Sequence, residues 1–385
     1  MKTAYLSIPE FSDCDLPLLQ QLESSVDLVY ILCVTQHNRN RALINIRRLK
    51  PKAGLYPASE YKELERLKEF VSMDRIFVLN LSESHGYSWG NLRAMMQLVA
   101  FLNRRAIEVL HLTWFPHYEA FPLYLFRRRT LLTVHDPIPH SSKNENTRSI
   151  RFDRKTAFCL LKHFLILNRR QHADFIRRYH LERKSVYHSQ LSLYTHLQGT
   201  QPQLPAIQGY VLFTGSINTH KGVHILCQAM EQVHRRLPDA KLVIAGSGRL
   251  YFDLAPLLAT GCVVLENHYL SDEELAGYLR NAAFVVCPYL DATQSGVIMS
   301  AFALGKPVVA TRVGGLPEAV EHKRHGLVVQ PNDPNALAEA MARLLASPET
   351  LDNMTRHIKE DYNTGERSWS HIATQMVSIY EDIAK

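Results

Sequence analysis

Residues 291–318 read DATQSGVIMSAFALGKPVVATRVGGLPE, and the stretch changes character along its length. Small and polar residues open it. Residues 295–304 then carry the spacing of a buried helix, which Gly305 ends. The β-branched run KPVVATRV (306–313) predicts a buried strand, closed by a Gly-Gly turn. Just upstream, AFVVCPY (283–289) predicts another strand. Strand, small-residue loop, helix and strand is the repeating unit of a parallel sheet covered by helices. The first N–H groups of a helix have no partner inside it and can meet a phosphate. A small polar turn is equally the product of close packing, so the loop alone leaves both readings open.

The alternation continues outward. YVLFTGS (210–216), AKLVIAGSG (240–248) and CVVLENH (262–268) predict strands, separated by helices at 222–236 and 271–282. Ser271 and Glu274 form a capping box at the start of the latter. A further amphipathic helix is predicted within 331–349. The Gly- and Pro-containing stretch 199–209 reads as a linker. Before it, strands are predicted at 26–34, 75–81, 107–113, 130–136 and 164–167, with helices at 59–72, 90–105, 151–163 and 171–180. The expected architecture is α/β, with two Rossmann-like, doubly wound parallel-sheet domains facing across a cleft. Ligands of such sheets bind beyond the C-terminal strand ends, which places Gly215-Ser216, Gly246-Ser247-Gly248, Tyr269 and Gln294-Ser295-Gly296 along one rim.

A chain of 385 residues with 46% apolar and 21% charged residues suits two globular domains. Apolar runs are too short for a spanning helix, and the N-terminus lacks a secretory signal pattern. Six scattered cysteines read as reduced core thiols, so a cytoplasmic protein is expected. The net charge of +7 is uneven. Residues 1–200 hold 29 Lys/Arg against 18 Asp/Glu, and residues 201–385 hold 15 against 19. The basic half is either a solvated face or an attractor of anions, such as phosphorylated acceptors or an anionic membrane surface. No nucleic-acid module is visible.

TGSINTHKGV (214–223) places Lys221 beside Gly222 at a helix start. A lysine there can neutralise a diphosphate as a point charge, although taken singly it reads equally as an ordinary exposed lysine. The segments FTGSINTHKGVHIL, PDAKLVIAGSGRL, LSDEELAGYLRNAAFVVCPY, SGVIMSAFALGKPVVATRVGGLPEAV and HGLVVQPNDPNALAEAM follow in order. Over about 208–345 they resemble the donor domain of GT-B retaining glycosyltransferases of family 4. The resemblance implies an acceptor-binding domain at 1–200, a donor-binding domain at 201–362 and a final helix at 363–385 crossing back onto the first. In that helix Trp369, Ile372, Met376, Ile379 and Tyr380 are expected to pack. LLTVHDPIPH (131–140) is similar to a His-Asp segment of some members, which gives His135 a place near donor phosphate and acceptor. His135, Asp136 and His140 also form a weak metal pattern, but Pro137 and Pro139 break a helical ligand face, and the resemblance implies no metal and no cofactor.

Members of that family commonly carry two glutamates eight positions apart. Aligned on Gly305, those positions are Ala292 and Ser300. A common arginine in the first donor loop is replaced by Ser216. Two readings follow: an active site with altered contacts, or a catalytically silent binding or scaffold partner. In the first, Lys221, Gln294, Ser295 and the N–H groups of Gly296 and Val297 hold the diphosphate. Ser300 reaches the ribose, Asp291 or Thr293 meets the sugar, and Tyr269 lies against the base or simply packs. The implied reaction is retaining transfer from a nucleoside diphosphate sugar to a glycan or lipid-linked acceptor, in surface polysaccharide or glycolipid synthesis, at the inner membrane face. A sugar-nucleotide epimerase or phosphorylase is a further alternative.

Overall fold

The computed structural model describes residues 1–41, 43–81, 88–116, 118–138, 148–203 and 207–385. They fall into two compact units. One comprises residues up to Ile138, those continuing to Gln190, and Trp369–Lys385; the other is built on Leu191–Ser368.

The first unit is built on an eight-stranded sheet. Its strands are β1 (Lys2–Ser7), β2 (Asp27–Thr35), β3 (Gly54–Pro57), β4 (Ile76–Leu81), β5 (Val109–Leu112), β6 (Thr130–Val134), β7 (His163–Ile166) and β8 (Ser185–His188), in the order β8-β7-β6-β5-β1-β2-β4-β3. All neighbours run parallel except β3, which lies antiparallel on the β4 edge. The near-continuous apolar runs of β2 and β4 follow from burial on both faces. Helices α1 (Ser12–Leu22), α2 (Trp89–Arg104), α3 (Arg148–Leu160) and α4 (His172–Tyr179) connect the strands. The sequence pattern had not revealed β1, the strand at the centre of the sheet, nor β3, β8 and α1.

The helix expected over 59–72 is instead a pair of 3-10 segments, Ala58–Glu60 and Lys62–Glu69. Ala58, Tyr61, Leu64 and Leu67 are its buried residues, spaced by three. A period of three suits the three residues per turn of a 3-10 helix, whereas an α-helix would rotate this stripe out of register.

The second unit has a six-stranded, all-parallel sheet. Its strands are β9 (Tyr210–Thr214), β10 (Leu242–Gly246), β11 (Val263–Asn267), β12 (Ala282–Cys287), β13 (Val308–Thr311) and β14 (Gly326–Val329), in the order β11-β10-β9-β12-β13-β14. Its helices include α5 (Val223–Arg236), α6 (Asp272–Asn281), α7 (Gly296–Ala303), α8 (Pro334–Leu345) and α9 (Pro348–Lys359). The Ser271–Glu274 capping box is formed, and Asp333 caps α8. Residues 191–200 and 363–368 lie in this unit rather than with the segments the resemblance assigned them to. Local bonds explain it. Gln198 Nε2 donates to Ala303 O at 3.1 Å, and Ser192 Oγ donates to Arg367 O at 2.6 Å. Of the expected linker, residues 204–206 lie outside the described residues.

The last helix, α10 (Trp369–Ala384), belongs to the first unit. Trp369, Ile372, Ala373, Met376, Tyr380 and Ile383 form its buried stripe. Ile379, expected to pack, falls at the stripe's edge and is half-buried; Ala373 and Ile383 complete the face instead. Tyr380 Oη lies 2.7 Å from His111 Nδ1, and His111 Nε2 lies 2.7 Å from Thr133 Oγ1. Burial drives the His111 pKa down to about 3, so this ring is a neutral peg between helix and sheet.

Candidate functional site

An open parallel sheet has a crevice where chain order reverses, because the loops on either side diverge. In the second unit that point lies between β9 and β12. The loops that follow them, 215–222 and 288–295, flank it. They are locked together. Leu290 N–H donates to His220 O at 2.8 Å. Gly222 has φ 67°, and a Cβ there would stand 2.0 Å from the carbonyl oxygen of Pro288. Only glycine allows so close an approach in that backbone conformation.

Lys221 sits in this junction. Asn218 Oδ1 accepts its backbone N–H at 3.2 Å and fixes the turn. Its Nζ lies 3.7 Å from the centre of the Tyr289 ring. Among the described residues no carboxylate forms an ion pair with it. Burial therefore lowers its pKa. A desolvated ammonium held only by an aromatic face is short of counter-charge, and an anionic ligand would supply it.

Tyr289 is fully buried, and its hydroxyl lies 3.2 Å from Ser295 Oγ. Ser295 is the N-cap of α7, yet its side chain makes no capping bond to the helix. The start of α7 thus presents N–H groups that its own cap does not consume. Gly296 and Val297, at that start, are partly exposed. A Cβ on Gly215 would come 3.6 Å from Val297 Cγ2, so the first loop lies against the same helix start. A Cβ on Gly296 would come 2.9 Å from the Tyr194 hydroxyl. The expected residues Gly215, Lys221, Ser295, Gly296 and Val297 are therefore gathered in one place. Gln294 and Asp291 are partly exposed beside them. Tyr289 and Tyr194 were not anticipated; an aromatic residue just after a strand or just before a short helix looks like core.

The rest of the rim is stitched to this centre. Ile217 N–H donates to Ser247 O at 2.9 Å. Asn267 binds Gly248 with both side-chain groups, accepting from its N–H at 3.1 Å and donating to its O at 3.0 Å. Tyr269, just beyond, is 79% exposed, which removes plain packing as its explanation. Ser216 is exposed, and its hydroxyl accepts from Asn218 Nδ2 at 3.0 Å. At the two positions aligned with glutamates the environment is closed. Ala292 is buried, and Gly314 grips its backbone so tightly that a Cβ would stand 1.6 Å from Ala292 O. Ser300 is 5% exposed on α7.

His135 lies in the first unit, directly after β6. It stacks on Phe11 with ring centres 3.7 Å apart and planes 8° from parallel. Behind Phe11 lies a buried carboxyl the sequence did not flag. Asp15 accepts from Tyr5 Oη at 2.7 Å and from the Ser7 hydroxyl, which also meets Thr113 Oγ1 at 2.7 Å. Ser7 ends β1 and Thr113 follows β5, so the network bridges the reversal point of this sheet. Burial raises the Asp15 pKa to about 7 despite these donors. His140, weighed as a metal ligand, lies outside the described residues.

Among the described residues one group has metal-ligand atom types in reach of one another: Glu321, His325 and Asp361. Its atoms are already committed. The Arg324 guanidinium takes both Asp361 oxygens at 2.7 and 2.6 Å, and His325 Nε2 lies 2.7 Å from Asp361 Oδ2. His325 Nδ1 accepts the Glu321 N–H at 3.3 Å. Arg324 first, and His325 after it, hold the Asp361 pKa down to about 2. This is a salt-bridged clasp between the π-helical turn that follows α9 (Glu360–Thr364) and the turn before β14.

Residues 208–347 match the family described as glycosyl transferases group 1. That segment contains both loops of the reversal point and the start of α7, though not Tyr194. A D-inositol 3-phosphate glycosyltransferase of Pseudarthrobacter chlorophenolicus is 37% identical over 179 residues, 44% of this chain and 42% of that protein. An uncharacterized glycosyltransferase of Methanocaldococcus jannaschii is 33% identical over 174 residues, 44% of each. The match thus spans less than half the length of these curated relatives. Solved structures share the fold over the whole chain. Sucrose-phosphate synthase from Thermosynechococcus elongatus superposes with a TM-score of 0.67 at 17% identity, covering 100% of this chain and 99% of that one. Anabaena HepE in complex with UDP gives 0.65 at 15% identity, covering 99% and 100%. The architecture is that of the GT-B glycosyltransferases.

Proposed function

We propose that this chain is an active glycosyltransferase that moves a sugar from a nucleoside diphosphate donor to a glycan or lipid-linked acceptor, with retention of configuration. The observation that carries the reading is Lys221: a desolvated ammonium on the Tyr289 ring, without a carboxylate partner, beside the start of α7. A diphosphate placed there meets the Lys221 charge and the N–H groups of Gly296 and Val297. These stabilise the negative charge that grows on the leaving phosphate as the glycosidic bond breaks. Gln294 and Ser295 line the same loop, with Gly215 and Ser216 opposite. Exposed Tyr269 offers a face to the base. His135, held flat on Phe11, orients the acceptor, and front-face attack lets the leaving phosphate take the acceptor's proton. The site works through amides and one ammonium group, so neither aligned glutamate is needed, and no metal or cofactor is invoked.

The test is a thermal-shift screen of UDP-, GDP-, ADP- and dTDP-sugars. A donor at a hundredfold its Kd adds about 2.7 kcal/mol to stability. The active reading expects one donor class to raise the melting point and to support transfer, with Lys221→Ala abolishing both while the unliganded melting point stays near wild type. Failure of all four classes to bind favours the silent-partner reading; release of free or epimerised sugar without acceptor favours the phosphorylase or epimerase reading.

A further inference from the structure

Helix α2 is apolar on two faces. Ala94, Met95, Leu98, Val99 and Leu102 are buried against the first unit's sheet. On an adjoining face Trp89, Leu92 and Met96, at helical spacings of three and four, are exposed, Trp89 at 88% and Met96 at 51%. They border the polar face of Arg93, Gln97 and Arg104, so the helix widens its apolar surface beyond what the sheet covers. The neighbouring 3-10 segment Tyr118–Phe126, which packs against α2, adds Phe121 and Leu125, the latter 71% exposed. Such a concentration of large apolar side chains marks a contact surface. Among the described residues the second unit exposes only Leu258 and Tyr269 of this kind, and Tyr269 is already accounted for.

The charges around this face are predominantly basic. Arg93 borders the exposed stripe, Arg104 stands at its far end, and exposed Arg127, Arg128 and Arg129 come one residue after Leu125. Between residues 89 and 129 the acids are Glu108 and Glu119, and Glu108 accepts the backbone N–H of Lys2 at 2.7 Å. We propose that this face seats the protein on an anionic lipid bilayer. An exposed Trp with Leu, Met and Phe enters the headgroup boundary, while flanking arginines meet lipid phosphates. The attraction of several arginines to an anionic leaflet adds to the apolar burial. A second copy of the chain is a poorer occupant. A two-fold contact sets the same patch against itself and brings Arg93 and the triple-arginine run toward like charge. The inference stands apart from the donor site, and goes beyond it by bringing the chain to where a lipid-borne acceptor resides.

The test is co-sedimentation of the full chain with vesicles of phosphatidylcholine alone or mixed equally with phosphatidylglycerol. Binding is expected to the mixed vesicles only, and to weaken in high salt. The double variant Trp89→Ser/Met96→Ser and the triple variant Arg127→Ala/Arg128→Ala/Arg129→Ala are each expected to lower the partition coefficient about tenfold or more. Both are expected to keep the wild-type melting point and the donor-induced thermal shift, which separates failure here from failure of the donor site. Bromine-labelled lipid is expected to quench tryptophan emission, and Trp89→Phe to remove that quenching, since Trp369 is buried and Trp114 half-buried. Absence of vesicle binding overturns the proposal. So does a dimer that the Trp89→Ser/Met96→Ser substitutions dissociate, and so does binding that depends on the arginines but not on the apolar pair.

Discussion

Tyr289 does two things with one side chain. Its ring carries the Lys221 ammonium, and its hydroxyl engages Ser295, which then does not cap α7. Desolvated cation–π contacts reach about 2 kcal/mol, or roughly thirtyfold in affinity. Tyr289→Leu is therefore expected to weaken nucleotide binding by about that factor in calorimetry, while Tyr289→Phe keeps most of it. Equal losses in the two variants would show that the ring does not position the lysine. Asp15 offers a different kind of test, in pH. Its folded pKa of about 7 lies above the ordinary carboxyl value, so between those two values the folded state holds a proton that the unfolded state has released. That contribution to stability is full at acid pH, falls as pH rises toward 7 and is flat above it. The cost is on the order of 4 kcal/mol. Asp15→Asn removes the ionisation, so its stability relative to wild type is expected to climb between pH 4 and 7 in urea titrations; a pH-independent difference would refute the assignment. Lys221, Gly215 and the Ser295–Val297 turn were singled out by their place after strands together with the family resemblance, since taken singly small residues and one lysine have ordinary uses. Tyr289, Tyr194 and Asp15 were not, because their roles come from what the fold places beside them.

Among the elements, five of the second unit's six strands were legible as short apolar runs ending in a glycine or polar turn; β14, which opens on Gly326, was not. In the first unit β1 went unseen: its sequence, KTAYLS, mixes Thr and Ser with apolar residues, and only its central position buries all but the first. The 58–69 region shows how a three-residue spacing was misread as α-helical. For α10 the stripe makes a quantitative distinction. Met376 is fully packed and Ile379 sits at the edge. Met376→Ala is expected to cost about 2–5 kcal/mol in urea unfolding, as deletions in a tight core do. Ile379→Ala is expected to cost less than half as much, and equal costs would place both residues in the same environment. The missing glutamates also have an elemental side: the Gly314 turn clamps the backbone at residue 292, and α7 buries residue 300, so restoring acids there would put carboxylates into closed surroundings.

At the scale of the whole chain, the two sheets share a plan, and each has a chemically equipped reversal point. In the second the equipment is cationic and open; in the first it is a buried carboxyl network with His135 and Phe11 at its edge. The uneven charge seen in the sequence has its place here, since the exposed arginines beside the apolar face of α2 belong to the first unit. No helix among the described residues is long and apolar enough to cross a membrane. Composition revealed the imbalance but not the face, because exposure of Trp89 and Met96 is decided by which side of α2 the sheet covers.

The path of the chain has a consequence for biosynthesis. The second unit is continuous from Leu191 to Ser368, while the first is left incomplete until Trp369–Ala384 has been made. A ribosome working at about 5–20 residues per second therefore finishes the later-starting unit before the earlier one. Until then His111 has no Tyr380 to meet, and the groove awaiting α10 stands open to water. Nascent chains halted before residue 369 should need chaperone protection on their first half, although that half was translated first.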